Sequence, residues 1–320
     1  MSDVTESTSM HDSLERDTNE TLPFVSVILP VYNDAVALRR CLHSLRKQTY
    51  PVDRFEVIVV DNGSTKDNPQ AVVADFPGYR FYIETKVGSY AARNKGMSHA
   101  KGEAYAFIDS DCIASPQWLE EGVRTLLAHP DCGLVGGRVD IFVQDRERPT
   151  WVELYDRVSL LRLKDYIEQM HVCSTCNMFV WSKVFDIVDL FNETLRSAGD
   201  FEWSDRVHAA ELKLIFNDRA CMQHPACRTW REIIKRKRRV AGGQHDLRLQ
   251  RDDSNTRKSL LHKIFHIVVP RISLMRIYCS DDRLKSRGER LCVALVFVIL
   301  HYVIILERIR LKLGFHSTRS

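Results

Sequence analysis

No run in the 320 residues stays apolar for the ~20 positions that a membrane-crossing helix needs. The longest such stretch, Leu291–Leu306, has 16 uncharged residues and carries His301 inside it. Net charge is equally scarce. Lys and Arg number 46 against 42 Asp and Glu, and the resulting +4 excludes a nucleic-acid-binding surface spread over the whole chain. Met1–Thr21 lacks the apolar centre of a secretory signal, and residues 1–22 read as a disordered tail. Cys173-Ser174-Thr175-Cys176 has the spacing of a zinc half-site, but no second Cys/His pair of matching spacing follows. The nine cysteines sit mostly among apolar neighbours, as reduced, buried thiols of a cytoplasmic protein do.

What is present is organised around Ala104–Asp111. A short apolar run ends in Asp109-Ser110-Asp111, so a strand too apolar for water delivers two acids to the carboxyl edge of a sheet. A turn at Ser110 would let both carboxylates reach one hard cation such as Mg²⁺ or Mn²⁺. Such a pair can also simply cap the next helix. Calcium-loop chemistry is excluded, because Ile113 and Ala114 stand where a ligand and the turn glycine belong and Pro116 interrupts.

Before this strand the pattern is strand then helix, repeated. Phe24–Val31 is a near-continuous apolar run, and Asn33-Asp34 can cap a helix with Ala37, Leu38, Cys41, Leu42 and Leu45 on one face. Phe55–Val60 ends in Asp61-Asn62-Gly63-Ser64, where an acid is placed to accept from a nucleoside or to cap the next helix. Tyr79–Ile83 follows. Gly88-Ser89 then opens a helix with Arg93, an arrangement suited to an approaching phosphate. The repeat predicts an α/β fold with a mostly parallel sheet.

Later segments predict a Gly-punctuated strand at a sheet edge or on the acceptor side (132–142), a helical, mixed stretch over 151–170, a strand over 172–181 and a helix over 183–190. An amphipathic helix then opens at Asp200 and Glu202, and a short strand (213–216) leads to His224. A carboxylate at a helix start is kept ionised by the helix dipole, as a general base should be.

Taken together, VSVILPVYN (25–33), VVDNGST (59–65), GSYAARNKG (88–96), FIDSDC (107–112), GDFEW (199–203) and QHP (223–225) resemble the family 2 glycosyltransferases of GT-A fold. The resemblance spans about residues 24–227. It implies a GT-A domain over 23–227 and a divalent-cation-dependent, inverting transfer of one sugar from a nucleotide sugar, usually a UDP-sugar. The acceptor would be a glycan or lipid-linked hydroxyl in polysaccharide, glycolipid or cell-envelope synthesis. Pro30 and Tyr32 would border the base and ribose, Asp61 would accept from the nucleobase, and Arg93, Asp109 and Ser110 would lie along the nucleotide sugar. Asp109, Asp111 and His224 would hold the metal, with Asp200 the catalytic base and Glu202 the competing acid. The family's Glu-Asp pair reads Gly199-Asp200 here, so its first acid is missing. That departure supports a non-catalytic nucleotide-sugar-binding protein as one alternative. Sugar-phosphate nucleotidyl transfer is another, although the first strand lacks the Gly-rich, Lys-containing loop it would need.

Beyond residue 228 the resemblance fades. Lys235–Arg239 reads as a solvated helix face or as a mobile basic lid meeting phosphate. Leu260–Ile277 mixes apolar and basic residues as an interfacial helix would, and Arg or Lys flank Leu291–Leu306 on both sides. Residues 228–320 are therefore expected to be a helical, basic region attached to the inner face of the cell membrane. A dimerising helical hairpin is the alternative.

Overall fold

The computed structural model describes residues 22–250 and 270–315. Four strands, β1 (Val25–Val31), β2 (Phe55–Asp61), β3 (Arg80–Ile83) and β4 (Ala104–Ile108), run parallel. Between them lie α1 (Ala35–Leu45), α2 (Pro69–Ala74) and α3 (Ser89–Met97). Every residue of β1 is buried, which is what a strand with both faces covered requires and why it reads as a near-continuous apolar run. The Asp34 side chain caps α1 by accepting from Ala37 N at 3.1 Å, and Leu38, Cys41, Leu42 and Leu45 on its inner face are fully buried.

After β4 the chain forms β5 (Ile113–Ala114), α4 (Trp118–Ala128), β6 (Cys132–Phe142), α5 (Trp151–Ser159), α6 (Leu163–Met170) and β7 (Asn177–Trp181). Then follow α7 (Val184–Val188), α8 (Gly199–Ala209), β8 (Lys213–Pro225), α9 (Trp230–Gln250), α10 (Ile272–Cys279) and α11 (Arg287–Lys312). The eight-stranded sheet has the order β3-β2-β1-β4-β7-β6-β8-β5, with β7 antiparallel to both its neighbours and β8 parallel to β6. This is the expected α/β architecture with a mixed, mostly parallel sheet and carboxyl-terminal helices.

Four details differ from the sequence-based expectations. The strand 132–142 is not at an edge; β6 lies between β7 and β8. Its glycines permit close neighbours rather than marking exposure. A Cβ on Gly137 would stand 2.0 Å from the Ala220 carbonyl oxygen, where β6 and β8 shift register. Asn177 joins three strands there, its Nδ2 donating to the carbonyls of Arg138 at 2.9 Å and Ala220 at 3.0 Å. Gly137→Ala should therefore lower stability by about 1–3 kcal/mol, read as a shifted urea midpoint.

Second, the strand expected over 213–216 continues to Pro225, because its later half pairs with both β6 and β5. Third, 151–170 is two helices. Thr150 and Glu153 form a capping box at the start of α5, and the helix breaks ahead of Leu161, which has φ 50°.

Fourth, the run Lys235–Arg239 lies within α9, and three of its cations are committed to packing rather than to a lid. Arg236 pairs with the fully buried Asp156, Arg238 lies 3.7 Å from Glu307, and Lys237 sits over the Tyr155 ring at 5.3 Å. Burial and the neighbouring Arg236 pull the Lys237 amine down to about 8. The carboxyl-terminal helices share a second apolar cluster with α5, in which Val152, Tyr155 and Val158 meet Ile233, Tyr278, Val293, Val296 and Leu300. Apart from Leu22, the amino-terminal tail lies outside the described residues, as does most of the expected interfacial segment 260–277.

Candidate active site

At the carboxyl ends of β1, β2 and β4, three loops are stitched together. Asn33, after β1, donates its backbone N–H to Ser64 Oγ at 2.8 Å and accepts from Thr65 N and Lys66 N at 2.8 and 2.9 Å. Asp61, at the end of β2, accepts from Ser64 Oγ at 2.6 Å and from Ser64 N at 3.1 Å. Asn62 accepts from Gly88 N at 2.7 Å, which ties this loop to the start of α3. Tyr32 is 36% exposed beside the loop, whereas Pro30 is buried within β1.

Arg93 of α3 is 3% exposed and donates through Nη2 to Asp109 Oδ1 at 2.5 Å, while its Nε is buried without a partner. Asp109 keeps 36% of its side chain exposed, but its crowded surroundings still dominate its titration. Burial raises its pKa, Arg93 opposes the shift, and Asp111 adds to it. Ser110 lies half-buried between the two acids.

Asp111 and His224 meet although they are far apart in sequence. The β5–β8 pairing places Gln223 opposite Ile113, so His224 comes down beside the acid that precedes β5. Asp111 Oδ2 lies 3.5 Å from His224 Nε2, and His224 Nδ1 lies 2.8 Å from the Pro225 carbonyl oxygen. A carbonyl oxygen only accepts, so Nδ1 carries a hydrogen and Nε2 is the ring nitrogen that faces the carboxylate. A carboxylate oxygen and an imidazole nitrogen that face each other are a donor set able to hold a cation.

Among the described residues, one set of three ligating side chains converges within 4.8 Å: Asp111, His224 and Cys112. Burial and then Asp111 push the Cys112 thiol well above its ordinary range, so at neutral pH it is protonated and a poor donor to a hard ion. The carboxylate and the imidazole fit Mn²⁺ or Mg²⁺. Asp109, expected as a third ligand, accepts from Arg93 through Oδ1, and Cys112, which was not foreseen, joins the converging set. Cys173 and Cys176 are buried thiols outside this set.

Helix α8 begins at Gly199 with Ala198 in the left-handed region and no side-chain cap. Asp200 is 8% exposed. Its Oδ1 accepts from Tyr90 Oη at 3.0 Å and Phe201 N at 3.1 Å, and its Oδ2 from Thr175 N at 3.3 Å. Glu202 points elsewhere, pairing with Arg206 at 2.9 Å; Arg206 in turn donates to the Leu190 carbonyl at 2.8 Å. Trp203, whose role the sequence left open, is a fully buried core residue donating to the Asp189 carbonyl at 2.9 Å. A separate cavity of about 660 Å³, lined by His171, His208, Glu211 and Lys213, lies at the far end of α8 and shares none of these groups.

The sequence model of glycosyl transferase family 2 matches residues 26–186. Glycosyltransferase AglE of Haloferax volcanii is 40% identical over 228 residues, covering 70% of this chain and 74% of the relative. Putative glycosyltransferase EpsH of Bacillus subtilis is 39% identical over 107 residues, 32% of this chain and 30% of the relative. Among solved structures, a mannosyltransferase of Pyrobaculum calidifontis in complex with GDP-Man and Mn²⁺ superposes with a TM-score of 0.60. It is 18% identical and covers 91% of this chain and 88% of its own. GalNAc-T7 with UDP, GalNAc and Mn²⁺ gives 0.51 at 19% identity, over 64% of this chain and 44% of its own. These superpositions carry the GT-A fold, and with the sequence matches they place the chain in glycosyl transferase family 2, as a glycosyltransferase.

Proposed function

We propose that the enzyme transfers a single sugar from a nucleoside-diphosphate sugar to an acceptor hydroxyl, with inversion at the anomeric carbon. The observation that carries this is the pairing of Arg93 with Asp109 and of Asp111 with His224 at the end of β4, with the Asp200 carboxylate, at a helix start, near enough to act on Asp109. The stitched loops around Asn33, Asp61 and Ser64, with the exposed Tyr32, would hold the nucleoside. Arg93, which holds Asp109, would lie beside the donor's phosphates. Asp111 and His224 would hold a divalent cation, which offsets negative charge on the departing diphosphate. Asp200 would take the proton of the attacking hydroxyl. Glu202, held by Arg206, would not.

The relatives favour a nucleotide sugar without agreeing on the base, since one solved neighbour holds GDP-Man and another UDP. Release of nucleoside diphosphate should be screened across UDP- and GDP-sugars with Mn²⁺ and with chelator. Release from one donor class, lost on chelation, is expected. Pyrophosphate formed from a nucleoside triphosphate and a sugar phosphate would instead indicate nucleotidyl transfer.

We further propose that residues 228–320 attach the enzyme to an anionic membrane surface, where a lipid-linked acceptor would lie. Among the described helices, α11 is long and apolar enough to cross a membrane. Val293, Val296 and Leu300 on one face pack into the protein, while Leu291, Leu295, Ile299, Tyr302 and Leu306 form an exposed stripe. Such a two-sided helix, flanked by Arg287 and Arg308, suits the headgroup boundary. Leu295→Glu with Leu306→Glu should cut co-sedimentation with anionic vesicles more than about tenfold while helix content is kept. Unchanged sedimentation, or loss of a dimer, would favour the hairpin alternative.

A further inference from the structure

The missing first acid before Asp200 has a physical counterpart in the fold. A Cβ built on Gly199 would stand 2.7 Å from Tyr90 Cε2 and 3.0 Å from Cζ, so the ring of Tyr90 occupies the space that any side chain at 199 would need. Tyr90 is 5% exposed, and its ring packs 6.0 Å from Phe191, which is itself 5.3 Å from Trp203. Thus held, its hydroxyl ends 3.0 Å from Asp200 Oδ1.

We propose that Tyr90 is the positioning residue for the base: its hydroxyl fixes the rotation of the Asp200 carboxylate, and Gly199 is the residue that admits its ring. The proposal rests on Asp200 being the base. Burial, reinforced by Asp200, pushes the Tyr90 hydroxyl far above its ordinary range, so it remains a donor across any working pH. Oδ1 is occupied by two donors, Tyr90 Oη and Phe201 N, whereas Oδ2 accepts only the longer bond from Thr175 N. Oδ2 is therefore the oxygen left for the substrate. As the acceptor oxygen bonds to the anomeric carbon, its proton passes to Oδ2. The bond to the diphosphate breaks with its electron pair, which leaves on the nucleoside diphosphate. Without Tyr90 the carboxylate keeps only the backbone donors Phe201 N and Thr175 N, and its orientation is held less firmly.

The test uses the full chain, the donor that supports nucleoside-diphosphate release, and water as acceptor. Tyr90→Phe should lower kcat about ten- to a hundredfold, the worth of one hydrogen bond to a charged group. Donor KM and melting temperature should stay at parental values. Gly199→Ala should lower kcat by displacing the ring, and should add little further loss when combined with Tyr90→Phe. Parental kcat in Tyr90→Phe alongside a dead Asp200→Asn would overturn the role of Tyr90 alone. An active Asp200→Asn would overturn the base assignment beneath it. A lowered melting temperature and raised KM at unchanged kcat would make Tyr90 merely structural and would also overturn the proposal, as would additive losses from the glycine variant.

Discussion

Asp200→Asn should bind the nucleotide sugar as the parent enzyme does and lose transfer by about a hundred- to ten-thousand-fold, the usual cost of removing a general base. The amide keeps the volume of the acid and can still accept from Tyr90 and Phe201, so the site should remain intact. What disappears is the basic oxygen facing the incoming hydroxyl. Glu202→Gln serves as the internal comparison. Residues two apart on a helix project about 200° apart, so the two acids cannot serve the same site. Glu202 accepts from Arg206 at 2.9 Å, and Arg206 in turn binds carbonyls beyond α7. Glu202→Gln should therefore keep transfer within a few-fold and lose a little stability, as weakening of a partly exposed pair costs at most about 1 kcal/mol. Single-turnover transfer measured beside calorimetric donor binding separates the two variants. A dead Glu202→Gln with an active Asp200→Asn would reverse the assignment.

Asp111→Asn should abolish the metal dependence of donor binding and reduce transfer on the order of a thousandfold, the scale of several kcal/mol of charge stabilisation. The side chain is a third exposed, so the fold should survive the change. His224→Ala should weaken metal-dependent binding less, because a neutral ligand contributes no charge. Cys112→Ala is the informative control. A thiol held protonated by burial should contribute nothing to a hard ion, so this variant should keep parental metal dependence. Calorimetric titration of Mn²⁺ with the donor present reads all three. Metal-independent turnover by Asp111→Asn would end the assignment.

The parallel half of the sheet is plain in the sequence because its central strands are largely covered on both faces, as the nearly apolar runs of β1 and β2 show. The acids ending β2 and β4 could be named for the same reason: a polar residue closing an apolar strand sits at the sheet's edge. The misread features depend on partners distant in sequence. The glycines of β6 resembled edge punctuation until β8 closed against them at Gly137. The middle of β8 is polar at Asn217, Asp218 and Arg219, and the strand resumes beyond it only through the pairing of Met222 and Gln223 with β5 and of Met222–Pro225 with β6. Local periodicity carries no trace of that pairing, so the route that brings His224 to Asp111 was invisible. The basic run of α9 resembled a solvated or mobile segment because its acids, Asp156 and Glu307, lie about 80 and 70 residues away on either side. Tyr90 was hidden differently. It lies inside a motif read for its glycine, serine and arginine, and only the approach of α8 reveals what its hydroxyl faces.

The central claim is that one carboxylate at the start of α8 drives a direct displacement at a nucleotide-sugar site. The measurement that bears on it most directly is the anomeric configuration of the first-formed product, read by proton NMR before mutarotation or further reaction. Direct displacement with Asp200 as the only base requires the product to carry the configuration opposite to that of the donor. A product that retains the donor's configuration would require a second step or a second face of attack, and would contradict the account.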